Sequence, residues 1–292
     1  MKQSEEAPEK RKIALFTALS NMLPDAPRLL GGIEVEQQAC IWGFMIEKFQ
    51  DKSFGGFEGQ ERKKLAALAT ILENMRQEQE VSAAAGQGIA SSGLGDKAVA
   101  VLGQQVKIHY SGYPGHSAYT VTHGRDPVKL ILANKWSDYD NSVEVKEISL
   151  DESTLSALEK EFPKMNFQSA SCEFDSKDEF KEFVSFFNEK SQLQEKPFTG
   201  SFKKQDRDNC VMTNLFFALN IAADVISVPA AEVDAGTGAG AGVSFAAEVD
   251  AGTGATDEVP ETKEFMKRVK GEFFKAALNE LSNKDMILLA LQ

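Results

Sequence analysis

A chain of 292 residues is long enough to bury a substantial core, in one large domain or two modest ones, without disulfide or metal staples. Its 44 acidic residues against 32 basic ones leave a net charge of -12, which repels a phosphate backbone and argues against nucleic acid as a partner. The three cysteines, Cys40, Cys172 and Cys210, stand far apart with no CxxC pair, the usage of a reducing compartment, which excludes zinc-finger and disulfide-scaffold classes.

The opening MKQSEEAPEKRK sets acidic residues inside its basic stretch and no long apolar run follows, so a secretory signal peptide is not expected. No window approaches the roughly 18 uninterrupted apolar residues of a membrane helix, and the expectation is a soluble, cytoplasmic protein. Pro8 suits the first position of a helix, where no amide partner is needed. Ile13, Phe16, Leu19 and Met22 then recur at three-residue spacing until Pro24 stops the run. A second helix is predicted over Glu34 to Gln50 with Ile41, Phe44, Met45 and Phe49 on one face, and a third over Glu61 to Glu80 through Leu65, Leu68, Leu72 and Met75.

Ser82 to Gly95 is rich in Ala, Gly and Ser and reads as a linker or loop. Beyond it the period changes to that of strands, predicted at Ala98 to Leu102, Gln105 to Tyr110, His116 to Thr122, Val128 to Asn134 and Val143 to Ser149. Helices follow at Glu152 to Phe162 and Asp178 to Lys190, the latter behind a capping box of Ser176 and Glu179, with a strand between them near Met165 to Phe174. Cys210 to Val225 is apolar on more than one face, as a helix in a domain centre would be. The decapeptide AAEVDAGTGA occurs at 230–239 and again at 246–255; it has little to pack and lacks the ligand spacing of a calcium loop, so it reads as a surface insertion. Helical character returns through Phe265, Val269, Phe273, Ala277 and Leu281. The fold class expected is α+β, a mixed sheet of several strands with a buried helix carrying a cysteine, flanked by N- and C-terminal helical regions.

All three histidines, His109, His116 and His123, fall in one short stretch, and a neutral imidazole is the usual base for activating a thiol near neutral pH. His116 opens a strand, and the next strand ends in Asn134; adjacent antiparallel strands bring such residues side by side. An Asn there fixes the tautomer of the ring and aims its other nitrogen, with Asp138 and Asp140 as reserve orienters. Cys210 follows QDRDN, in which Asp208 or Asn209 is an N-cap, so the thiol sits in the first helical turn where the dipole and unpaired amides favour thiolate. Gln205 offers a side-chain amide to an oxyanion beside the backbone N–H of Cys210. On the structural side, each of these residues is also a common occupant of a strand end or a buried helix start.

The order His116, Asn134, Gln205, Cys210, with QDRDNCVMTNLFFALNIA opening a hydrophobic helix, resembles the ubiquitin-like-protein proteases of clan CE and the YopJ-type and deubiquitinating effectors of bacteria. The likeness covers roughly Val106 to Val225. It implies a papain-like core, placed over 98–229; the patterns already described put a helical lobe at 1–81 and a loop at 82–97 before it, and an insertion at 230–260 and C-terminal helices at 261–292 after it. It also implies a thiol protease with Cys210 as nucleophile, His116 as base, Asn134 as orienter and Gln205 as oxyanion donor. The partner would be ubiquitin or a ubiquitin-like protein, no metal or organic cofactor would be needed, and the place of action would be the cytoplasm, or a host cytosol for a secreted effector. Val211 stands where the family usually has Gly, Ser117 where an aromatic is common, and Asn134 where a carboxylate is more usual.

Three alternatives stay open. A YopJ-type acetyltransferase would use the same cysteine on the same fold. A papain-like enzyme would use Cys40 in CIWGF with His116 and the NKW at Asn134 to Trp136, although Cys40 falls well inside a predicted helix, away from free amides. A binding or adaptor protein would hold a partner on its helical lobes with a purely structural cysteine. Cys172 reads as a strand residue.

Overall fold

Pro114 and Gly115 supply the fixed φ and the positive φ that a tight reversal of type II requires, and Gly115 has φ 92°. That reversal joins the two longest strands of the sheet and delivers His116 at the first position of the second. The computed structural model describes residues 3–22, 35–84, 100–101, 104–124, 128–134, 146–162, 171–193, 210–226 and 262–282. In chain order these form α1 (Gln3–Met22), α2 (Val35–Gln50), a 3-10 turn at Phe54–Gly56, α3 (Gly59–Ala84), β1 (Ala100–Val101), β2 (Gln104–Tyr113), β3 (His116–His123), β4 (Val128–Ala133) and β5 (Lys146–Leu150). There follow α4 (Glu152–Glu161), β6 (Ser171–Glu173), α5 (Lys177–Lys190), β7 (Gln192–Leu193), α6 (Cys210–Val225) and α7 (Thr262–Glu280). The molecule is a mixed α+β protein.

The sheet runs β1-β2-β3-β4-β5-β7, with antiparallel neighbours, and β6 lies parallel to β2 on the same edge as β1. β2 is long enough for both, pairing β1 through Gln104 and Gln105 and β6 through Tyr110, Ser111 and Gly112. Strand alternation sends successive side chains to opposite faces. Val106, Ile108, Tyr110, Tyr119, Val121, Ile131 and Ala133 join one large core with residues of α1, α2, α3, α6 and α7. Ala118, Leu130, Leu132, Ile148 and Leu150 face the other way, into a smaller cluster with Leu158, Phe162, Phe174 and the phenylalanines of α5. Helices therefore cover both faces, the layered arrangement that buries a two-sided apolar sheet.

α5 shows why its residues are helical. Ser176 Oγ accepts from the Glu179 amide at 3.2 Å, while Glu179 Oε2 accepts from the Asp175 amide at 2.8 Å, so the capping box is present with its return bond one residue further out than usual. Phe180, Phe183, Phe186 and Phe187 then repeat at helical spacing and are all buried, each ring contributing about 2 kcal/mol of apolar transfer energy. α4 is capped by Asp151, which accepts from the Thr154 amide at 2.8 Å.

Four expectations need correction. Pro8 lies inside α1 rather than at its start; its missing amide removes a single bond, to the Ser4 carbonyl, near the helix end. α3 runs on to Ala84, so Ser82, Ala83 and Ala84 are helical where a loop was expected, because alanine carries the helix forward. β2 continues past Tyr110 to Tyr113, since Ser111 and Gly112 find ladder partners in Ala118 and Ser117. β7 was not anticipated, being two residues paired with Lys146 and Glu147. Both copies of AAEVDAGTGA lie outside the described residues.

Candidate active site at the start of the third strand

His116 is 3% exposed, its ring set against Tyr113, with centroids 5.3 Å apart, and against Phe180 of α5 at 5.5 Å. Its Nε2 stands 3.2 Å from Oδ1 of Asn134, the residue that follows β4. The register pairs Tyr119 with Ala133, which sets Asn134 across from Ala118 and diagonal to His116, within reach of a long side chain. Burial lowers the His116 pKa from its ordinary value of 6.5, the Asn134 hydrogen bond opposes that, and the charge of Lys177 adds to it. The ring is therefore neutral at neutral pH and available as a proton acceptor.

Cys210 is the first residue of α6, partly exposed, and its Sγ accepts from the backbone N–H of Ser117 at 3.4 Å. A thiol in that position meets two favourable fields at once, the amide of Ser117 and the N-terminal end of a 16-residue helix. The residue donating to the sulfur is the immediate neighbour of His116, which brings the thiol, the imidazole and the Asn134 amide to one end of the sheet. Comparison with protein-family models, with curated protein sequences and with solved structures returned no match.

The chemistry available is thus read from the geometry alone. A shell of buried polar groups holds it. Asn214, one turn after Cys210 and fully buried, donates through Nδ2 to the Ser117 carbonyl at 2.7 Å and to Asn134 Oδ1 at 3.3 Å. Ser117 Oγ accepts from Gln38 Nε2 at 3.2 Å and lies 3.3 Å from the Tyr110 hydroxyl, which ties α2 and β2 to the same point. Tyr119 lies beneath; burial, then the neighbouring Tyr110, and in smaller part Cys210, push its pKa well above the ordinary value and keep the phenol neutral. The sequence assigns no site role to Asn214, Gln38 or Tyr110, and marks Ser117 only as a departure from the family pattern. One signal was there for Asn214: an amide in the run VMTNLFFALNIA, one turn from the cysteine, is a polar group that burial obliges to find partners.

The remaining candidates separate clearly. Gln205, Asp208, Asn209, Asp138 and Asp140 lie outside the described residues. Cys40 sits in the second turn of α2, packed against the larger core, where the helix has no free amides to offer its sulfur. Cys172 lies in β6, its backbone paired with Ser111. His109 is fully buried with Nε2 3.1 Å from Thr122 Oγ1, and His123 faces Glu147 at 3.5 Å, so neither shares the cysteine's end of the sheet. Among the described residues, no group of three or more His, Cys, Asp or Glu side chains could hold a metal ion, and no helix is long and apolar enough to cross a membrane.

Proposed function

We propose that the chain is a thiol peptidase or isopeptidase that releases ubiquitin or a ubiquitin-like modifier from its conjugates, on a papain-like core whose buried helix carries the nucleophile. The reading is carried by one observation: the sulfur of Cys210, at a helix N-terminus, takes the amide of Ser117 while the adjoining His116 engages Asn134. Asn134 Oδ1 lies at Nε2, and Nδ1 is assigned the proton exchange with the thiol. The Cys210 thiolate attacks the carbonyl of the modifier's C-terminal residue, His116 protonates the amine as its bond to that carbonyl breaks, and water then hydrolyses the thioester with His116 as base. The backbone N–H of Cys210 and the amide of Gln205 are the proposed oxyanion donors. The clan CE resemblance supplies the substrate class and a cytosolic place of action, including that of a bacterial effector in a host cell.

The test is a panel of ubiquitin-like proteins bearing a C-terminal electrophile, applied to the native chain and to Cys210→Ala, Cys40→Ala and His116→Ala. Labelling is expected in the native chain and in Cys40→Ala, and is lost in the other two. Labelling that survives Cys210→Ala ends the proposal, whereas an acetyl adduct on Cys210 from acetyl-coenzyme A, without probe labelling, moves the reaction to acetyl transfer.

A further inference from the structure

The polarity of the hydrogen-bond chain around His116 is settled by a backbone atom. The Ser117 carbonyl can only accept, so the group 2.7 Å from it on Asn214 is the side-chain NH₂. The second hydrogen of that NH₂ is directed at Asn134, 3.3 Å away, and so the atom it meets is the amide oxygen, Oδ1. Asn134 Oδ1 is also the atom 3.2 Å from His116 Nε2, and an oxygen that can only accept requires a proton on that nitrogen. In a neutral imidazole the lone pair then falls on Nδ1.

We infer that Asn214 is a positioning residue which sets the tautomer of His116 by locking the Asn134 amide with its oxygen toward the ring. The inference rests on the reading of His116 and Cys210 as base and nucleophile. Asn134 alone does not determine the tautomer: turned about its terminal bond, its NH₂ would face His116 and call for the lone pair on Nε2, leaving Nδ1 protonated and useless as a base. A carboxylate at position 134 would need no lock, because both of its oxygens accept. The chain has an amide there, and its partner is a second amide on the helix that carries the thiol, so one group registers α6 against β3 and fixes the proton on the ring.

The prediction is read first by ¹⁵N spectroscopy of the imidazoles in the full chain, with His109→Gln and His123→Gln assigning the His116 signals. Native His116 is expected as the Nε2–H tautomer. Asn214→Asp keeps the shape but presents an acceptor to Asn134, whether ionised or neutral, since the single proton of the acid goes to the closer Ser117 carbonyl; Asn134 turns and the ring proton moves to Nδ1. Asn214→Leu, an apolar change in an apolar helix, is expected to slow iodoacetamide labelling of Cys210 by about tenfold or more, the scale of losing a positioned base. Adding Asn134→Asp to that variant restores labelling, because a carboxylate orients His116 unaided. A native Nδ1–H tautomer, a folded Asn214→Asp that stays Nε2–H, or slow labelling of Asn214→Leu that Asn134→Asp does not restore each overturns the assignment. If the tautomers respond as expected while no ubiquitin-like probe labels Cys210, the tautomer lock stands and the peptidase reading fails.

Discussion

Two histidines a few residues apart on one hairpin have different environments and different consequences. His116 keeps a hydrogen bond to Asn134 that partly offsets the cost of carrying charge. His109 lies deeper, and burial, with a smaller push from Lys107, takes its pKa from 6.5 down to about 3. In the unfolded chain His109 takes up a proton near its ordinary value, so below that pH the unfolded state binds more protons and stability falls. The contribution is complete above about pH 6.5 and is lost progressively as pH falls toward the folded value, at a limit of about 1.4 kcal/mol per pH unit for one such group. Urea midpoints measured from about pH 7 to about pH 5 are expected to fall in the native chain and to fall less steeply in His109→Gln. Equal slopes would show that His109 stays neutral in both states, or charged in both. The spacing of the three histidines marked the stretch but not their ranking, because burial depends on which face of the sheet each residue meets and on what covers it.

At the scale of the hairpin, the position of His116 depends on a glycine that sequence reasoning passed over. A Cβ on Gly112 would stand 2.3 Å from the His116 carbonyl oxygen and 3.2 Å from the Ser117 Cα. Both are backbone atoms, so no rotamer change relieves the clash, and Gly112→Ala has to prise β3 away from β2. The cost expected is about 1–3 kcal/mol, read as a lower thermal midpoint, and the Ser117 amide withdraws from Cys210 with a matching loss of thiol labelling. Gly115→Ala is the control: its Cβ meets nothing within 4 Å, and at φ 92° it pays only backbone strain at the tip of the turn. If both variants label alike, the close approach at Gly112 does not hold the site. Elements with strong periodicity were legible: α2, β3, β4, α4, α5 and α6 start or stop within a residue or two of the expected places. The parallel pairing of β6 on β2 and the two-residue β7 were not, since short strands are defined by a distant partner rather than by their own residues.

Across the whole molecule, the candidate site sits where two separate cores meet, and each supplies one side of it. Cys210 and Asn214 belong to α6, whose apolar residues join the larger cluster, whereas the His116 ring is backed by Phe180 from the smaller one. Phe180 is itself held by Phe174 at 5.3 Å, and Phe174 stacks on Phe183 at 5.3 Å, with Phe162 against Phe183 at 5.6 Å. This aromatic chain is the route by which packing far from the thiol reaches the imidazole. Phe183 is fully buried and its ring packs against Phe162, Phe174 and Phe187, so Phe183→Ala tests the division of labour directly. The cavity is expected to cost about 3–5 kcal/mol and to loosen Phe180 behind His116 while leaving α6 packed on its own core. Amide hydrogen exchange is therefore expected to quicken in α4 and α5 well before α6, and Cys210 labelling to fall although its helix is intact. Equal loss of protection in α5 and α6 would mean that the sheet couples both clusters into one cooperative unit, in which case the imidazole and the thiol are supported together and no core substitution separates them.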